Sequence, residues 1–305
     1  MSKPNQDAAV TRCGIVLVLG APNAGKSTLV NRLVGAKVTI VSPKVQTTRT
    51  RVRAIAIHGE TQVIYTDTPG IFAPKRRLDR AMVDAAWGGA ADADVIAVMV
   101  DAKRGIDRDV ERIIAGLEMY KNPAALVLNK VDGLRRELLL TLTETLNSLS
   151  KFDATFMVSA LNGSGVDALE AYFKGLMPTG PWLFPDDEIS DLPQRLFAAE
   201  VTREKAYTKL HQELPYSLSV ETESWEEFDN GGVRIEQNLT VARETQKGIV
   251  LGKGGQMIKR IRAEAQEELA ELLERPVHLF VRVRVREKWA DDPGHFRDWG
   301  LRFDA

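Results

Sequence analysis

The stretch Gly20-Ala21-Pro22-Asn23-Ala24-Gly25-Lys26-Ser27 decides the fold of this chain. It matches the pattern G-x-x-x-x-G-K-[ST], in which the backbone N–H groups of a glycine-rich loop turn inward and hold an anion. The apolar run before it, 14–19, predicts a buried strand, and 27–34 predicts a helix whose N-terminus attracts phosphate. The alternative, a chance Gly/Lys loop, fits this context poorly. The stretch therefore predicts a nucleotide-phosphate site between a strand and a helix.

Length and composition limit the possible functions. A chain of 305 residues predicts about two domains, and 44% hydrophobic with 27% charged residues is typical of a soluble protein. The longest apolar run, 95–100, is too short to span a bilayer, and the polar residues 1–11 lack a signal-peptide core, so we expect a cytoplasmic location. A single cysteine, Cys13, excludes an internal disulfide. A formal net charge of -1 means that any nucleic-acid site must be local.

The pattern of strands and helices predicts two different domains. From 14 to about 174, short apolar strands alternate with amphipathic segments, which predicts an α/β domain with a mostly parallel sheet. The predicted strands are 15–19, 63–66, 95–100, 124–128 and 155–158. The Pro-, Gly- and acid-rich segment 177–193 is typical of a linker. Beyond it we predict, in order, a helix (194–210), strands (216–223 and 232–243), two helices and a strand (276–286). This gives domains 1–176 and 194–305, the second α+β.

The end of the first motif and a second motif predict how phosphate and magnesium are bound. Lys26 would reach the β- and γ-phosphates, and Ser27 would ligate Mg²⁺. Asp67-Thr68-Pro69-Gly70 follows a predicted strand, so that Asp67 can hold the magnesium shell and the Gly70 N–H can reach the γ-phosphate. Alone, this turn would be ordinary, but its position after the phosphate loop favours the functional interpretation.

A third motif, Asn129-Lys130-Val131-Asp132, predicts the choice of base. The Asp132 carboxylate can accept hydrogen bonds from N1–H and N2–H₂ of guanine, whereas adenine would turn an acceptor towards it. Asn129 and Lys130 would frame the base and brace the phosphate loop. Ser159-Ala160-Leu161 could offer backbone N–H groups to the guanine oxygen. The sequence thus predicts GTP and GDP as ligands.

The segment Gln46-Thr47-Thr48-Arg49-Thr50 has the position of a switch loop. A threonine there can ligate Mg²⁺ and contact the γ-phosphate, so that hydrolysis releases the loop. We assign this role to Thr48, with Thr47 as the alternative. The alternative is that these threonines have no switch role and lie at the edge of a strand, where threonine is common.

In this order, the motifs GAPNAGKS, QTTRT, DTPG, NKVD and SAL resemble those of translation-factor-class GTPases. The resemblance implies catalytic roles for Asn23, Lys26, Thr48, Asp67 and Gly70, and magnesium ligation by Ser27, Thr48 and Asp67. It places the GTP at Gly20, Ala21, Pro22, Asn23, Ala24, Gly25, Lys26, Ser27, Thr28, Asp67, Thr68, Pro69, Gly70, Asn129, Lys130, Asp132, Ser159, Ala160 and Leu161.

Two positions of this resemblance bear on the rate. Ile71 stands where Ras-like enzymes carry a water-orienting glutamine, so we expect slow hydrolysis. In similar GTPases an asparagine at the position of Asn23 accompanies a potassium ion that stabilises the transition state. The alternative is that Asn23 is only a turn residue.

The second domain contains Gly252-Lys253-Gly254-Gly255 between two predicted helices. Such a G-x-x-G loop clamps a nucleic-acid backbone in KH domains, and the element order fits a type II KH domain. No acidic residue interrupts the basic stretch 247–262. A glycine cap of a solvated helix is the alternative. The predicted RNA-binding residues are Gly252, Lys253, Gly254, Gly255, Lys259 and Arg260.

GTPase motifs followed by a KH domain resemble the Era family of bacterial ribosome-assembly GTPases, although Ala21 and Ala24 depart from the usual loop. The resemblance implies GTP-gated binding of 16S rRNA near its 3′ end during 30S subunit assembly. It also implies peripheral association with the inner membrane, for which the residues themselves give no signal, and we expect a monomer. The alternatives are a GTPase subunit of an RNA-modifying complex, for which no residues remain to form another catalytic domain, and an RNA-binding scaffold with a structural nucleotide.

Overall fold

The computed structural model describes residues 10–44, 46–211 and 214–305. The packing divides the chain into two units. The first consists of residues 10–38, Arg51–Ala73 and Met82–Asp191, and the second of Thr39–Thr50, Pro74–Ala81 and Leu192–Ala305. The predicted domain limits, 1–176 and 194–305 around a linker, stay a prediction. Most of the polar N-terminal stretch 1–11 lies outside the described residues.

The first unit is built on a mostly parallel sheet. Its strands are β1 (Arg12–Gly20), β2 (Val52–His58), β3 (Thr61–Asp67), β4 (Val95–Asp101), β5 (Ala124–Asn129) and β6 (Ala154–Val158). Their spatial order is β2-β3-β1-β4-β5-β6, and only the pair of β2 and β3 is antiparallel. The sequence analysis missed β2, in which Arg53 interrupts the apolar pattern near its start.

Apolar residues of the central strand face both sides of this sheet. In β1, Val16 and Val18 pack in one apolar cluster, and Leu17 and Leu19 pack in another. A parallel sheet buried on both faces needs such continuous apolar strands. Between residues 26 and 176 lie the helices α1 (Lys26–Val34), α2 (Arg77–Trp87), α3 (Arg108–Leu117), α4 (Arg136–Leu149) and α5 (Val166–Leu176). The first residues of α2 belong to the segment Pro74–Ala81 of the second unit. Because the parallel strands end at one edge, the motifs that follow them converge there.

The segment predicted as a linker is bound to the sheet. Thr179 forms a bridge with Arg12, and Ser190 forms one with Ala54 of β2. The buried Gln62 side chain donates to Phe184 O at 2.8 Å, and its Oε1 accepts from Leu183 N at 2.9 Å. The segment therefore covers part of the open edge of β2, which would otherwise expose unpaired backbone groups.

The second unit has the predicted order of helices and strands. Its elements are α6 (Gln194–Lys209), β7 (Leu218–Glu227), β8 (Val233–Val241), α7 (Glu244–Leu251), α8 (Gln256–Leu272), β9 (Val277–Val285) and α9 (Pro293–Asp298). The sheet order is β7-β8-β9, with β7 antiparallel and β9 parallel to β8. Short α9 and the 3-10 turn Trp289–Asp291 before it lie beyond the last strand predicted from the sequence, 276–286, and were not predicted.

Candidate functional site

The predicted phosphate loop forms a tight turn at the end of β1. Gly25 has a φ of 98°, and a Cβ atom there would lie 2.3 Å from the Asn129 side-chain nitrogen. Asn23 also has a positive φ, 64°, which asparagine tolerates better than most residues. The α1 helix begins directly after this turn, at Lys26. Its N-terminal N–H groups therefore follow the loop, as the motif predicts.

Lys26 lies inside the loop rather than in solvent. Only 6% of the residue is exposed, and its Nζ donates to Gly20 O and Ala21 O, both at 3.2 Å. Burial lowers the pKa of this ammonium from its usual 10.5 to about 8, while the nearby Asp67 carboxylate acts in the opposite direction. A phosphate group would supply the negative charge that a buried ammonium needs.

Two oxygen-bearing side chains fit a magnesium ion beside the loop. Ser27 Oγ donates to Asp67 Oδ2 at 2.7 Å, and Asp67 is fully buried. Hydroxyl and carboxylate oxygens are the ligands that Mg²⁺ prefers, usually one or two from the protein and the rest from phosphates and water. The described residues contain no cluster of three or more metal-binding His, Cys, Asp or Glu side chains.

The Asp67 motif is tied to the phosphate loop by backbone contacts. Thr68 Oγ1 donates to Val18 O at 2.6 Å, and Ile71 N donates to Gly20 O at 3.1 Å. A Cβ on Gly70 would lie 2.8 Å from Pro22, so the close approach of the two loops requires glycine there. Ile71 is fully buried, and its apolar side chain offers no group that could orient water.

The base-reading motif is fixed to the loop through Asn129 and Lys130. Asn129 Nδ2 donates to Ala24 O at 2.7 Å, and its Oδ1 accepts from Ala160 N at 2.9 Å. Lys130 Nζ donates to Asn23 O at 2.6 Å. The structure thus brings together the phosphate loop, the Asn129 motif and the Ser159 motif, as the sequence indicated. Leu161 is 77% exposed.

Three residues of this region were not singled out from the sequence. Asp101, at the end of β4, binds Lys130 Nζ at 2.6 Å, and Lys103 Nζ lies 3.0 Å from Asp132 Oδ2. Arg32 donates to Ala160 O at 2.6 Å. Asp101 could have been found, because it ends a parallel strand at the same edge as Asp67 and Asn129. Lys103 and Arg32 lie on a turn and a helix that show no comparable pattern.

The predicted switch segment packs within the second unit. Arg49 is 2% exposed; its Nη1 donates to Leu218 O at 3.0 Å and its Nη2 to Tyr207 Oη at 3.2 Å. The guanidinium carbon lies 5.5 Å from the ring centres of both Trp289 and Trp299. This contact could not be predicted from the sequence, since the tryptophans are far from Arg49 along the chain.

The neighbouring threonines of the switch segment differ in their contacts. Thr47 Oγ1 donates to Lys44 O at 2.7 Å, and Thr47 O accepts from Arg203. Thr48 is partly buried. Lys44 Nζ also donates to the backbone oxygens of Tyr207 and Leu210. The choice of Thr48 over Thr47 as a magnesium ligand stays a prediction.

The G-x-x-G loop lies between two helices, as predicted. The α7 helix ends at Leu251, Lys253–Gly255 form a 3-10 turn, and α8 begins at Gln256. Gly254 and Gly255 have φ values of 58° and 75°, and nothing lies within 4 Å of a Cβ placed on either. Open space above a positively charged loop is what close approach of a nucleic-acid backbone requires.

The predicted basic residues around this loop are exposed. They are Lys253, Lys259 and Arg260. Arg260 Nε pairs with Glu264 at 3.1 Å on the same helix, so part of its charge is neutralised. Ile249, which the sequence analysis did not select, is 59% exposed on α7. It adds an apolar contact of the kind that an unstacked base could use.

Comparisons with known proteins identify the family. The model of the 50S ribosome-binding GTPase family matches residues 15–130, and the KH domain model matches residues 213–290. GTPase Era of Rhizobium meliloti (strain 1021) is 58% identical over 296 residues, covering 97% of this chain and 95% of that relative. The chain belongs to the Era family of GTPases. GTPase Era of Afipia carboxidovorans is 56% identical over 300 residues, with 98% and 97% coverage.

Solved structures of Era agree with this membership. Two of them match with a TM-score of 0.90 and 38% identity, covering 95% of this chain and 99% of theirs. One holds MgGDPNP and nucleotides 1506–1542 of 16S ribosomal RNA, and the other, an Aquifex aeolicus variant, holds GDP and AlF4⁻. The resemblance and the fold class predicted from the sequence are confirmed, and the chain is a GTPase with a KH domain.

The buried ammonium of Lys26 leads to a prediction about pH. With a pKa of about 8 in the nucleotide-free chain, Lys26 is charged below pH 8 and loses its proton above it. A bound phosphate raises that pKa, so binding takes up a proton above pH 8 and GDP affinity should fall there by up to about tenfold per pH unit. Calorimetry in buffers of different ionisation enthalpy measures the proton uptake. Binding at pH 9 with no proton exchanged would contradict the assignment.

Proposed function

We propose that this GTPase binds GTP with Mg²⁺, hydrolyses it slowly, and uses its KH domain to bind 16S rRNA during assembly of the 30S subunit. The observation that carries the proposal is the placement of the switch segment: Thr39–Thr50 packs in the same unit as the G-x-x-G loop. A segment that answers to GTP and packs with the RNA-binding elements can make RNA binding depend on the nucleotide. The solved Era structure with a GTP analogue and 16S rRNA supports both ligands.

The phosphate chemistry in this proposal rests on a small set of residues. Lys26 binds the β- and γ-phosphates, Ser27 and Thr48 ligate the metal, Asp67 holds its water shell, and the Gly70 N–H meets the γ-phosphate. Magnesium, when bound, neutralises charge that develops on the transferred phosphate. The hydrogen bond between Ser27 and Asp67 and the desolvated Lys26 support these roles.

Hydrolysis without help is slow in this proposal, because Ile71 replaces the water-orienting glutamine. Assistance by a potassium ion at Asn23 is part of the proposal. Turnover in potassium and in sodium salts tests it: faster turnover in potassium supports the assistance, and equal rates contradict it. Undetectable hydrolysis in both salts would favour an RNA-binding scaffold with a structural nucleotide.

The base-reading role of Asp132 gives a direct prediction. Asp132→Asn replaces one acceptor oxygen by a donor, which suits the C2 carbonyl oxygen of xanthine and leaves guanine N2–H₂ facing a donor. We expect the preference to move from GTP towards xanthosine triphosphate by about 10²-fold or more, since a site built for one hydrogen-bonding pattern rejects the other strongly. Competition binding with both nucleotides measures the change. Unchanged GTP affinity would exclude Asp132 as the base reader.

The Arg49 contacts predict how the two ligands are coupled. Arg49→Met keeps an unbranched apolar stem but removes the charge and the hydrogen bonds to Leu218 and Tyr207. We expect the ratio of RNA affinities with GTP analogue and with GDP to move towards one. The matched control is Arg275→Met, because Arg275 also lies over a tryptophan, Trp225 at 5.7 Å, but outside the switch segment. An unchanged ratio in Arg49→Met, with normal thermal stability, would contradict the coupling.

The RNA-binding loop is tested at Gly254. A side chain there meets open space, although the φ of 58° disfavours it, and aspartate is among the residues that tolerate this conformation best. Gly254→Asp should weaken binding of the 16S rRNA 3′ end by at least about tenfold, because it puts a negative charge where a phosphate passes. GTP binding should not change. Gly231→Asp, in the β7–β8 turn with a φ of 81° and equally open space, is the control for the backbone strain. RNA affinity that falls equally in both variants would contradict the assignment.

A monomeric state and a peripheral association with the inner membrane complete the proposal, the latter on family resemblance. In the described part of the chain no helix combines the length and the apolarity that crossing a bilayer requires. Ultraviolet crosslinking of bound RNA, with GTP and with GDP, would identify the RNA and show whether its binding depends on the nucleotide.

A further inference from the structure

Both oxygens of the Asp132 carboxylate have a partner in the structure. Ser159 Oγ donates to Oδ1 at 2.8 Å, and Lys103 Nζ donates to Oδ2 at 3.0 Å. Ser159 belongs to a motif already assigned to the guanine site, whereas Lys103 belongs to no motif. The role of Lys103 is therefore open.

The number of lone pairs shows what the two partners leave available. An ionised carboxylate has about four acceptor positions, two on each oxygen. Ser159 and Lys103 occupy one position on each oxygen, so one remains on each for N1–H and N2–H₂ of guanine. The terminal torsion of an aspartate has a broad energy well, and two partners on opposite oxygens restrict it. The carboxylate is thus oriented before the base arrives.

The position of Lys103 is fixed by the end of the neighbouring strand. Asp101 Oδ1 accepts from Lys103 N at 3.0 Å, and Ala102 N donates to Asn129 O at 2.8 Å. The second carboxylate oxygen of Asp101 binds Lys130 at 2.6 Å. The Asp101 carboxylate therefore positions both lysines, Lys130 through its side chain and Lys103 through its backbone.

We propose that Lys103 is a positioning residue for guanine recognition, which acts by orienting the Asp132 carboxylate together with Ser159. The inference rests on the proposed base-reading role of Asp132. In the alternative, Lys103 competes with guanine for Asp132 and must be displaced. Removing Lys103 would then increase the affinity for guanine nucleotides instead of lowering it. Because 48% of the Lys103 side chain and 37% of the Asp132 side chain are exposed, salt screens the pair and should reduce the effect.

Lys103→Met tests the proposal, since methionine keeps most of the side-chain length and removes the charge and the donors. We expect GDP and GTP affinity to fall about three- to tenfold at low salt, the cost of ordering one side chain on binding. Inosine triphosphate lacks the N2 amino group and needs only one aligned oxygen, so its affinity should fall less. The preference for GTP over inosine triphosphate should therefore shrink, and kcat at saturating GTP should stay unchanged.

Controls separate the possible causes. Lys103→Arg should restore the preference, and Lys151→Met, at an exposed lysine between α4 and β6, should have no effect. In a chain that already carries Asp132→Asn, Lys103→Met should change the affinity for GDP and GTP by less than twofold. Tighter or unchanged guanine binding, or equal losses for GTP and inosine triphosphate, would overturn the proposal. If Asp132→Asn shifts the preference to xanthosine triphosphate but Lys103→Met has no effect, only the role of Lys103 is overturned. If Asp132→Asn causes no such shift, the roles of Asp132 and of Lys103 are both overturned.

Discussion

The nucleotide site of the first unit depends on the buried side chain of Asn129. Its amide donates to Ala24 O in the phosphate loop and accepts from Ala160 N in the Ser159 motif, so that one side chain joins three segments far apart in sequence. An amide is suited to this position because it carries a donor and an acceptor at once. The contact also explains Gly25, since a Cβ there would occupy the position of the Asn129 nitrogen. Phosphate binding and base choice are therefore not independent: a change that moves Asn129 disturbs both.

The second unit contains a different constraint, the burial of a guanidinium. An arginine at 2% exposure loses its hydration, and the loss is offset only by close hydrogen-bond acceptors and aromatic faces. For Arg49 these are Leu218, Tyr207, Trp289 and Trp299. Both tryptophans come from the last residues of the chain, where α9 is held by a contact of His295 Nε2 with Glu221 at 2.5 Å. The C-terminal segment is thus part of the pocket that holds the switch segment.

The sequence predicted most of this structure where chemistry imposes a local pattern. The phosphate loop, the Asp67 turn, the Asn129 motif and the G-x-x-G loop each need particular residues at fixed spacing, so they could be recognised without coordinates. Strand β2 was missed because its apolar run, 54–57, is short and no motif follows it. Arg49, Lys103 and the α9 segment were missed for another reason: their roles depend on residues distant in sequence, and no local pattern records such contacts. Gly252–Gly255 illustrates the opposite case, in which spacing alone located the loop between its two helices.

The contacts of the switch segment also set the energy scale of the proposed coupling. Hydrogen bonds from Arg49, Lys44 and Arg203 join this segment to the rest of its unit, and each contributes about 1 kcal/mol net. With the aromatic contacts, the total is on the order of 5 kcal/mol, close to what moves a two-state equilibrium from one state to the other. In the proposed function, the contacts of Thr48 with the metal and of its N–H with the γ-phosphate would have to supply a difference of this size between GTP and GDP. A much weaker attachment would let the segment move with either nucleotide, and a much stronger one would hold it with both. An attachment on the order of 5 kcal/mol lies between these limits, so the nucleotide in the proposed function can decide the conformation.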